Sequence, residues 1–546
     1  MHPPTRTPAR WLTLLLALAM AAAACNGGED APDLPGTGEA PDGGEVGGEF
    51  SMASCEPQNL LPTNSTEVCG SQVLSYLFTA LVEYDAETGD IDEGEGVAES
   101  IDSDDQTNWT ITLRDDFTFH NGDPVTAQSF VDAWNWMADP DNAQAGVDFL
   151  ESASFEGLEE VQNGEAEEMS GVTAVDETTI EVALSEPFSP FPQMMGYTAF
   201  YPLPGEFYDD PEGFEDAPVG NGPYMMDGEW ERGQQIRLAR YEDYPGEGGN
   251  ADAVEIRIYD DAGTAYRDLQ AGNLDVLAGV QSVPPEQIAA AEAEFGDNFL
   301  ETESSAFTYI GFPMYDPAFS EDVNLRRALS LAIDRELIIE TIFQGANQPA
   351  TAVIPPVLEA HRPDACEYCE HDPEQAQELY EQTDGVEEPL TLYFNSGAGH
   401  EEWMEAVANQ LRSTLGIQDI QFESLEFAEY LDLLDAQEVD GPFRLGWVLS
   451  YLSPQYSLLL YESGADSNNF GYASEEFDEL YRQGTAAETT EEAEELFQQA
   501  EDVLLEDLPL IPMWYSVYHH AHADRVGNVI VDARTFLRVT EVEVVD

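Results

Sequence analysis

The stretch Trp109-Thr-Ile-Thr-Leu-Arg-Asp-Asp-Phe-Thr-Phe-His-Asn-Gly-Asp-Pro-Val-Thr126 carries three structural signals in a row. Its first five residues alternate apolar and polar side chains, which predicts a strand with one buried face. Asn121-Gly122 is a turn signal, and Thr126 is a suitable N-cap for a helix. Large apolar residues follow at helical spacing: Phe130, Val131, Trp134 and Met137. The stretch therefore predicts a strand, a turn and a helix packed on one core.

The same mixture of patterns continues on both sides of this stretch. Alternation predicts strands at Ile180–Leu184 and Leu390–Phe394. Helical periodicity predicts helices at Leu325–Ile342, Glu374–Tyr380, Glu402–Leu415 and Glu491–Leu505. Because neither a tandem repeat nor a low-complexity linker occurs after residue 50, we expect an α/β protein with two or three interleaved domains.

The charge balance excludes several functions. The 546 residues include 110 Asp and Glu against 18 Arg, with no Lys, for a formal net charge of −92. Nucleic-acid binding by counterion release needs Lys/Arg clusters, and P-loop and Schiff-base enzymes need a lysine. A hydrophobic content of 42% still indicates a normal core. Since salt screens so dense a charge, we interpret the acidity as adaptation to brine.

The N-terminus predicts secretion and a lipid anchor. Residues 1–24 contain no acid, and the apolar run from Trp11 to Ala24 has the length of a signal-peptide core rather than of a membrane span. The run ends at Cys25 in a pattern that resembles a bacterial lipobox, with Ala22 where Leu is usual. Lipid attachment to Cys25 is the prediction, and an ordinary secretory signal is the alternative.

Residues 25–49 form a predicted tether. Between Asn26 and Glu49 there are eight Gly, three Pro and seven acidic residues, a composition that cannot pack a core. No later segment reaches membrane-spanning length, so lipid would be the membrane attachment.

Four cysteines remain after Cys25. Sequence proximity in an oxidising compartment favours two disulfides, Cys55–Cys69 and Cys366–Cys369, among three possible pairings. The alternative for the second pair is a metal site, because His371 completes a Cys-x-x-Cys-x-His pattern.

Five segments in order resemble the peptide-binding lipoproteins of ABC importers, solute-binding protein family 5. The first is the stretch quoted above. The others are Gly220-Asn-Gly-Pro-Tyr224, Asn324–Arg335 followed by Pro355-Pro356, Gly446-Trp447 with Asn468-Asn469 and Glu476-Phe477-Asp478, and Leu508–Trp514. The resemblance covers roughly residues 55–546. Several signature residues are interpreted as structural, with Phe119, Leu329, Ala332 and Ile333 in the core and Arg335 anchoring a helix end.

The resemblance implies a periplasmic-binding-protein type II fold, with two α/β lobes, a hinge and an extra domain inserted in the first lobe. Transferred by motif position, lobe I comprises residues 50–94, 206–306 and 516–546. The extra domain comprises residues 95–205, and lobe II comprises residues 307–515.

The resemblance also implies a ligand site in the cleft between the lobes. Trp447 is the first candidate because a flat ring with one N–H donor suits such a cleft, and a core Trp is the alternative. Arg444 is the second, since some peptide-binding members use an Arg three residues before this Trp to meet a ligand carboxylate; an ordinary salt bridge is the alternative. Gly446, Tyr451 and Asn469 are further candidates.

Ser450 departs from the family pattern. Peptide-binding members typically carry an Asp three residues after this Trp, where it pairs with the α-amino group of the ligand. Ser cannot supply that charge, so sugars, opine-like compounds and other solutes stay open beside peptides.

Other patterns suggest weaker alternatives. In a strand, His520 and His522 of His519-His520-Ala-His522 would share one face, a spacing that could bind a metal or a nickel chelate. His400-Glu-Glu-Trp-Met404 falls short of a His-Glu-x-x-His zinc motif.

The function that this sequence predicts is the substrate-binding component of an ABC importer. It would be a monomer, anchored by lipid outside the cell membrane, that passes its solute to a permease with separate ATPase subunits. No enzymatic activity and no cofactor are expected. A surface-anchored hydrolase and a sensory receptor with the same fold are the alternatives.

Overall fold

The computed structural model describes residues 47–545, except residues 87, 88, 93, 387, 388, 398 and 466 and the side chain of Ala428. The predicted signal, Cys25 and most of the predicted tether lie outside the described residues. The folded body starts before the predicted tether ends, because the N–H groups of Gly47 and Gly48 donate to Asn250 and Asp252 and Glu49 opens the first strand.

Strands and helices are mixed along the described chain, as predicted. The strands are β1 Glu49–Ser54, β2 Glu83–Tyr84, β3 Ile91–Asp92, β4 Ala98–Asp102, β5 Asn108–Leu113, β6 Val172–Ala174, β7 Thr179–Ala183, β8 Tyr224–Met226, β9 Gln235–Arg240, β10 Ala253–Ile258, β11 Val276–Leu277, β12 Phe299–Gly311, β13 Asn347–Pro349, β14 Leu390–Asn395, β15 Ile420–Leu425, β16 Phe443–Trp447, β17 Leu510–His522, β18 Val526–Gly527 and β19 Glu543–Val544. The helices are α1 Val68–Leu77, α2 Ala127–Ala138, α3 Val147–Ser152, α4 Leu158–Gln162, α5 Phe191–Met194, α6 Pro211–Phe214, α7 Ala262–Gln270, α8 Ile288–Phe295, α9 Pro317–Ser320, α10 Val323–Leu331, α11 Arg335–Ile342, α12 Pro373–Tyr380, α13 His400–Thr414, α14 Phe427–Asp435, α15 Pro454–Leu458, α16 Glu475–Thr485 and α17 Thr490–Asp507.

Two long strands hold the main sheet together. The sheet runs in the order β15-β14-β16-β12-β17-β11-β1-β10-β9-β8, with β13 also paired to β17. β12 and β17 are 13 residues long each and pair antiparallel along their length. The register of this pair shifts between Glu303 and Phe307, where β12 is irregular. Since every other strand of the sheet lies on one side or the other of this pair, β12 and β17 connect its two halves.

The stretch that opened the sequence analysis folds as predicted. β5 is a central strand of a second, antiparallel sheet in the order β4-β5-β7-β6. Thr126 is the N-cap of α2 and forms a capping box with Ser129. The apolar face of α2 is buried at all four predicted positions, from 0% to 6% exposed. The alternating pattern and the N-cap signal were therefore sufficient here.

The single helix predicted at Leu325–Ile342 is wrong. The chain forms α10 and α11 instead, with a break at Ala332–Asp334. The Asp334 carboxylate accepts a hydrogen bond from the N–H of Leu337 and so caps the start of α11. The apolar periodicity continues across the break, which hides this cap in the sequence.

Both predicted disulfides are present, Cys55–Cys69 and Cys366–Cys369. The second bond removes the two thiolates that a metal site with His371 would need. The His371 ring instead lies 3.3 Å from the Asp334 carboxylate. None of the helices in the described part of the chain combines the length and the apolar composition that a membrane span requires.

Candidate functional site

Arg444 lies on β16, between β12 and β14 in the main sheet. Its Nη1 donates to the Asn395 side-chain oxygen at 3.2 Å, while its Nε is buried with no hydrogen-bond partner. No acid of the described residues forms an ion pair with it. Gly446 adjoins the guanidinium, where a β-carbon would lie 3.6 Å from Nη2 and 3.1 Å from the Phe307 carbonyl. Gly446 therefore leaves room beside the charge.

The surroundings of Arg444 are aromatic rather than acidic. Burial lowers the pKa of Arg444, and only Tyr430 and Tyr309 act against that shift. The Tyr309 hydroxyl is fully buried and has no hydrogen-bond partner. Burial, together with the charge of Arg444, lowers the pKa of His400 to about 4. His400 is therefore neutral near pH 7, so Arg444 is the cation among these neighbouring side chains.

Two other arginines show what a structural buried arginine looks like in this chain. Burial lowers the pKa of Arg326 to about 10 and that of Arg335 to about 9. Each donates several hydrogen bonds to backbone carbonyls that hold chain segments together. The structural role predicted for Arg335 agrees with these bonds. Arg444 makes one hydrogen bond, and it goes to the side-chain amide of Asn395 rather than to a backbone carbonyl. Its other N–H groups therefore do not hold chain segments together.

Trp447, Ser450, Tyr451 and Tyr456 form a second group, which we call the hydroxyl–aromatic cluster. The Trp447 Nε1 donates to the Tyr456 carbonyl at 3.0 Å, and the two rings lie 5.3 Å apart. The Ser450 hydroxyl lies 3.2 Å from the Tyr456 hydroxyl. The indole N–H is thus satisfied within the protein, which leaves the ring face of Trp447 for contacts with a ligand.

Phe149 and Tyr197 contact the same cluster. The Phe149 ring lies 4.4 Å from Tyr197 and 6.5 Å from Tyr456. Burial raises the pKa of Tyr197, against a hydrogen bond with Ser450 that lowers it. Ser450 is therefore surrounded by hydroxyl groups from two parts of the chain.

The structure separates the sequence-predicted residues into three places. Arg444 and Trp447 are three residues apart on β16, so their α-carbons lie about 10 Å apart along the strand and their side chains leave its opposite faces. Tyr451 is fully buried, and its hydroxyl donates to Gln455. Asn469 is 8% exposed, and its side-chain amide donates to the Asp435 carboxylate at 2.8 Å rather than to a residue of either group.

Some residues of the site were not identified from the sequence. Asn395 and His400 flank the turn after β14, which runs parallel to β16. A polar residue at the carboxyl end of a parallel strand was the available signal for Asn395. Tyr197 had none, because its proximity to Ser450 depends on tertiary structure, whereas Tyr456 follows Ser450 closely in the sequence.

The histidines of β17 do not form a metal site. His519 lies 3.3 Å from Glu301, the His522 ring contacts the Ala523 carbonyl, and both ring nitrogens of the fully buried His520 lack a partner. No group of three or more potential metal ligands occurs within the described segments.

A cavity of about 790 Å³ lies elsewhere in the structure. It is lined by residues of segments 89–92, 94–102 and 189–193, by Leu452–Pro454 and by the first turns of α17. Neither Arg444 nor Trp447 lines it. Several acidic side chains line this cavity, as expected in a chain with so many Asp and Glu residues.

Comparisons with known proteins agree on one family. Residues 94–469 match the model for bacterial extracellular solute-binding proteins, family 5. The oligopeptide-binding protein OppA of Bacillus subtilis is 26% identical over 96% of this chain and 97% of its own length. The unliganded open form of the murein tripeptide-binding protein MppA covers 92% of this chain and 99% of its own, with 24% identity and a TM-score of 0.80. Haemophilus influenzae OppA, in complex with the peptide RPPGFSPFR, covers 92% of this chain and all of its own, with 23% identity and a TM-score of 0.71. The predicted fold class, an α/β periplasmic-binding protein of type II, is confirmed.

Proposed function

The chain belongs to the bacterial extracellular solute-binding proteins of family 5, and from this premise we propose that it is the substrate-binding component of an ABC importer. Its ligand is a peptide or a similar small solute that carries a carboxylate. Arg444 supports this most strongly, because it is a half-buried cation with no acid partner among the described residues of a strongly acidic chain. Relatives named for oligopeptide and dipeptide binding support the peptide class.

Arg444 and Trp447 would make different contacts with a ligand. Arg444 would bind the carboxylate through its free donors, and the Trp447 ring face would cover an apolar part of the solute. Because these side chains leave opposite faces of β16, their spacing along the strand sets no length for the ligand.

Closure would use the β12–β17 pair as the hinge. These strands connect the two halves of the main sheet, and their register shifts at the bulge after Glu303. The predicted boundaries of the lobes, after residues 306 and 515, lie in these same two strands. Ser304 in the bulge donates from its hydroxyl to the Ser516 carbonyl at 2.9 Å, which ties the strands together at this point. A ligand that binds the closed form more tightly would drive closure, and no covalent step is needed.

The proposed cellular arrangement follows the sequence. Lipid on Cys25 would anchor the protein outside the membrane, and the acidic tether would hold the folded body away from the surface. The loaded form would then dock on a permease whose ATPase subunits supply the energy. Members of this family bind substrates for transport, so no catalytic group is assigned.

Native mass spectrometry of protein purified without denaturation tests this function. We expect a bound peptide to be released from the wild-type protein and to be missing from Arg444→Gln. Arg482→Gln is the matched control, because Arg482 is exposed and paired with Glu479. A sugar or a metal chelate in place of a peptide would contradict the proposed ligand class.

A further inference from the structure

Two hydrogen bonds join segment 185–193 to the end of helix α16. The N–H of Ser189 donates to the Thr485 carbonyl at 2.7 Å, and the Ser189 hydroxyl donates to the Gly484 carbonyl at 2.9 Å. The last carbonyls of a helix lack partners within the helix, so Ser189 caps α16 from a distant part of the chain. Both bonds join uncharged groups, and salt therefore has little effect on them.

The two sides of this contact belong to different hydrophobic cores. Phe188 and Phe191, which flank Ser189, pack in one core. Helices α16 and α17 contribute Phe477 and Phe497 to another. Because each side is packed in its own core, the contact at Ser189 can open without exposing either core.

Acidic side chains surround the cavity of about 790 Å³, which Ser189 also lines. Segment 89–102 contributes four of them and the other side contributes three: Asp90, Asp92, Glu99 and Asp102, and Glu359, Glu491 and Glu494. None of the described residues that line the cavity is basic. Burial raises the pKa of Glu494, and Glu359, Asp90 and Glu491 raise it further. The repulsion between these acids therefore favours separation of the two sides.

A second group of acids repels at the same contact. Burial and the neighbouring Asp478 raise the pKa of Glu462, and Glu186 raises it as well, against the effect of Arg482. Glu186 lies in the same segment as Ser189, whereas Asp478 lies on α16. The ion pairs that α16 and α17 form in the described part of the chain do not reach segment 185–193. The hydrogen bonds of Ser189 are thus opposed by like charges.

Salt changes the balance between these two forces. The Debye length falls from about 10 Å in 0.1 M salt to about 3 Å in 1 M salt, so the repulsion weakens while the hydrogen bonds between uncharged groups remain. We propose that Ser189 and α16 form a salt-operated clamp, which closes segment 185–193 onto α16 in brine and opens in dilute buffer. No group of three or more potential metal ligands occurs among the described residues, so the clamp responds to ionic strength rather than to one bound cation.

Closure of the clamp also reaches the hydroxyl–aromatic cluster. Tyr197, from the core of Phe188 and Phe191, hydrogen-bonds Ser450 of that cluster. The two sides therefore meet at two places, and the clamp brings both contacts together. This inference does not depend on which solute the protein binds.

Hydrogen exchange of single amides in full-length protein tests the clamp. The N–H groups of Ser185 and Phe188 donate to the carbonyls of Ser154 and Gln106, on their own side of the contact, and serve as internal references. From about 0.1 M to about 1 M NaCl we expect protection of the Ser189 N–H to rise at least about tenfold, with both references constant within about twofold. Constant protection at Ser189, or an equal rise at the references, would overturn the clamp.

The identity of the cation separates screening from binding. Choline chloride at the same ionic strength should protect the Ser189 N–H as well as NaCl does, because screening depends on charge and concentration alone. Protection by NaCl but not by choline chloride would reveal a specific cation site and contradict a clamp that works by screening.

Two triple variants with the same change in charge complete the test. In Glu359→Gln/Glu491→Gln/Glu494→Gln the repulsion across the cavity is reduced, so protection of the Ser189 N–H at about 0.1 M NaCl should lie within about twofold of its value at about 1 M. The control carries three substitutions at exposed positions of α17 that do not line the cavity: Glu492→Gln, Glu495→Gln and Glu506→Gln. The control should keep the salt response of the wild type. Equal responses of the two triple variants would mean that salt acts on the net charge of the whole protein, and the clamp would be wrong.

Discussion

Replacing Arg444 by Gln separates a binding role from a structural one. The wild-type guanidinium makes one hydrogen bond, to Asn395, and its Nε has no partner, so a ligand carboxylate can accept from at least two free N–H groups. Hydrogen bonds to charged groups contribute about 1.5 to 3 kcal/mol each, and the two are not additive. We therefore expect Arg444→Gln to lose about 3 kcal/mol, which is roughly a hundredfold in Kd.

The stability of the ligand-free protein should respond in the opposite direction. Because burial lowers the pKa of Arg444, its charged form is less favourable in the folded protein than in the unfolded chain. Removing the charge removes that penalty, so the free energy of unfolding of Arg444→Gln should equal or exceed that of the wild type. A buried arginine that served only to hold the fold would show a loss of stability.

Isothermal titration calorimetry with a peptide identified by native mass spectrometry measures the loss of affinity, and denaturant titration measures the free energy of unfolding. Arg444→Lys keeps the charge but not the fork of donors, so we expect a smaller loss of about tenfold. Arg482→Gln, which removes an exposed pair with Glu479, should bind as the wild type does. Binding by folded Arg444→Gln within about threefold of the wild type would refute the assignment of Arg444 as the carboxylate anchor.

Four further predictions test other parts of the structure. Trp447→Ala should weaken ligand binding at least about tenfold, or 1.4 kcal/mol. Trp447→Phe should bind the ligand nearly as the wild type does, because the indole N–H already donates to the Tyr456 carbonyl. Isothermal titration calorimetry distinguishes the two variants. Ser304→Ala and Ser305→Ala should each lose about 1 kcal/mol of stability, because each hydroxyl makes one hydrogen bond. Only Ser305→Ala should also weaken ligand binding, since the Ser305 hydroxyl accepts from the N–H of Leu449, next to Ser450 of the hydroxyl–aromatic cluster. Equal affinities of the two variants for the ligand would disprove this coupling. Burial lowers the pKa of His520 from 6.5 to about 3, so the folded state loses stability as pH falls between these values, and His520→Leu should reduce the loss seen by denaturant titration between about pH 7 and about pH 5. The unfolding midpoint should rise from dilute buffer to about 1 M NaCl, and a flat or falling midpoint would contradict adaptation to brine.

Local signals predicted the elements well, and tertiary contacts decided the site. The alternation at Trp109–Leu113 and the N-cap at Thr126 gave their strand and helix directly, because both signals act over a few residues. The break before Arg335 was missed because apolar periodicity continues across it. Arg444 and Trp447 were found from a short motif, but their positions on opposite faces of β16 follow from the strand itself. The contact of Ser450 with Tyr197 was beyond prediction, because these two residues are distant in sequence.

The surface charge and the proposed site make opposite demands on the ligand, and salt reconciles them. A formal charge of −92 repels a carboxylate-bearing solute in dilute buffer, whereas Arg444 attracts it at short range. In about 1 M salt the Debye length falls to about 3 Å, so repulsion from the surface is screened before the ligand reaches the site. The half-buried guanidinium is screened less, because the protein around it keeps bulk ions away from part of it. Brine therefore removes the long-range barrier and leaves the specific contact, which is the condition in which a strongly acidic protein can capture an anion.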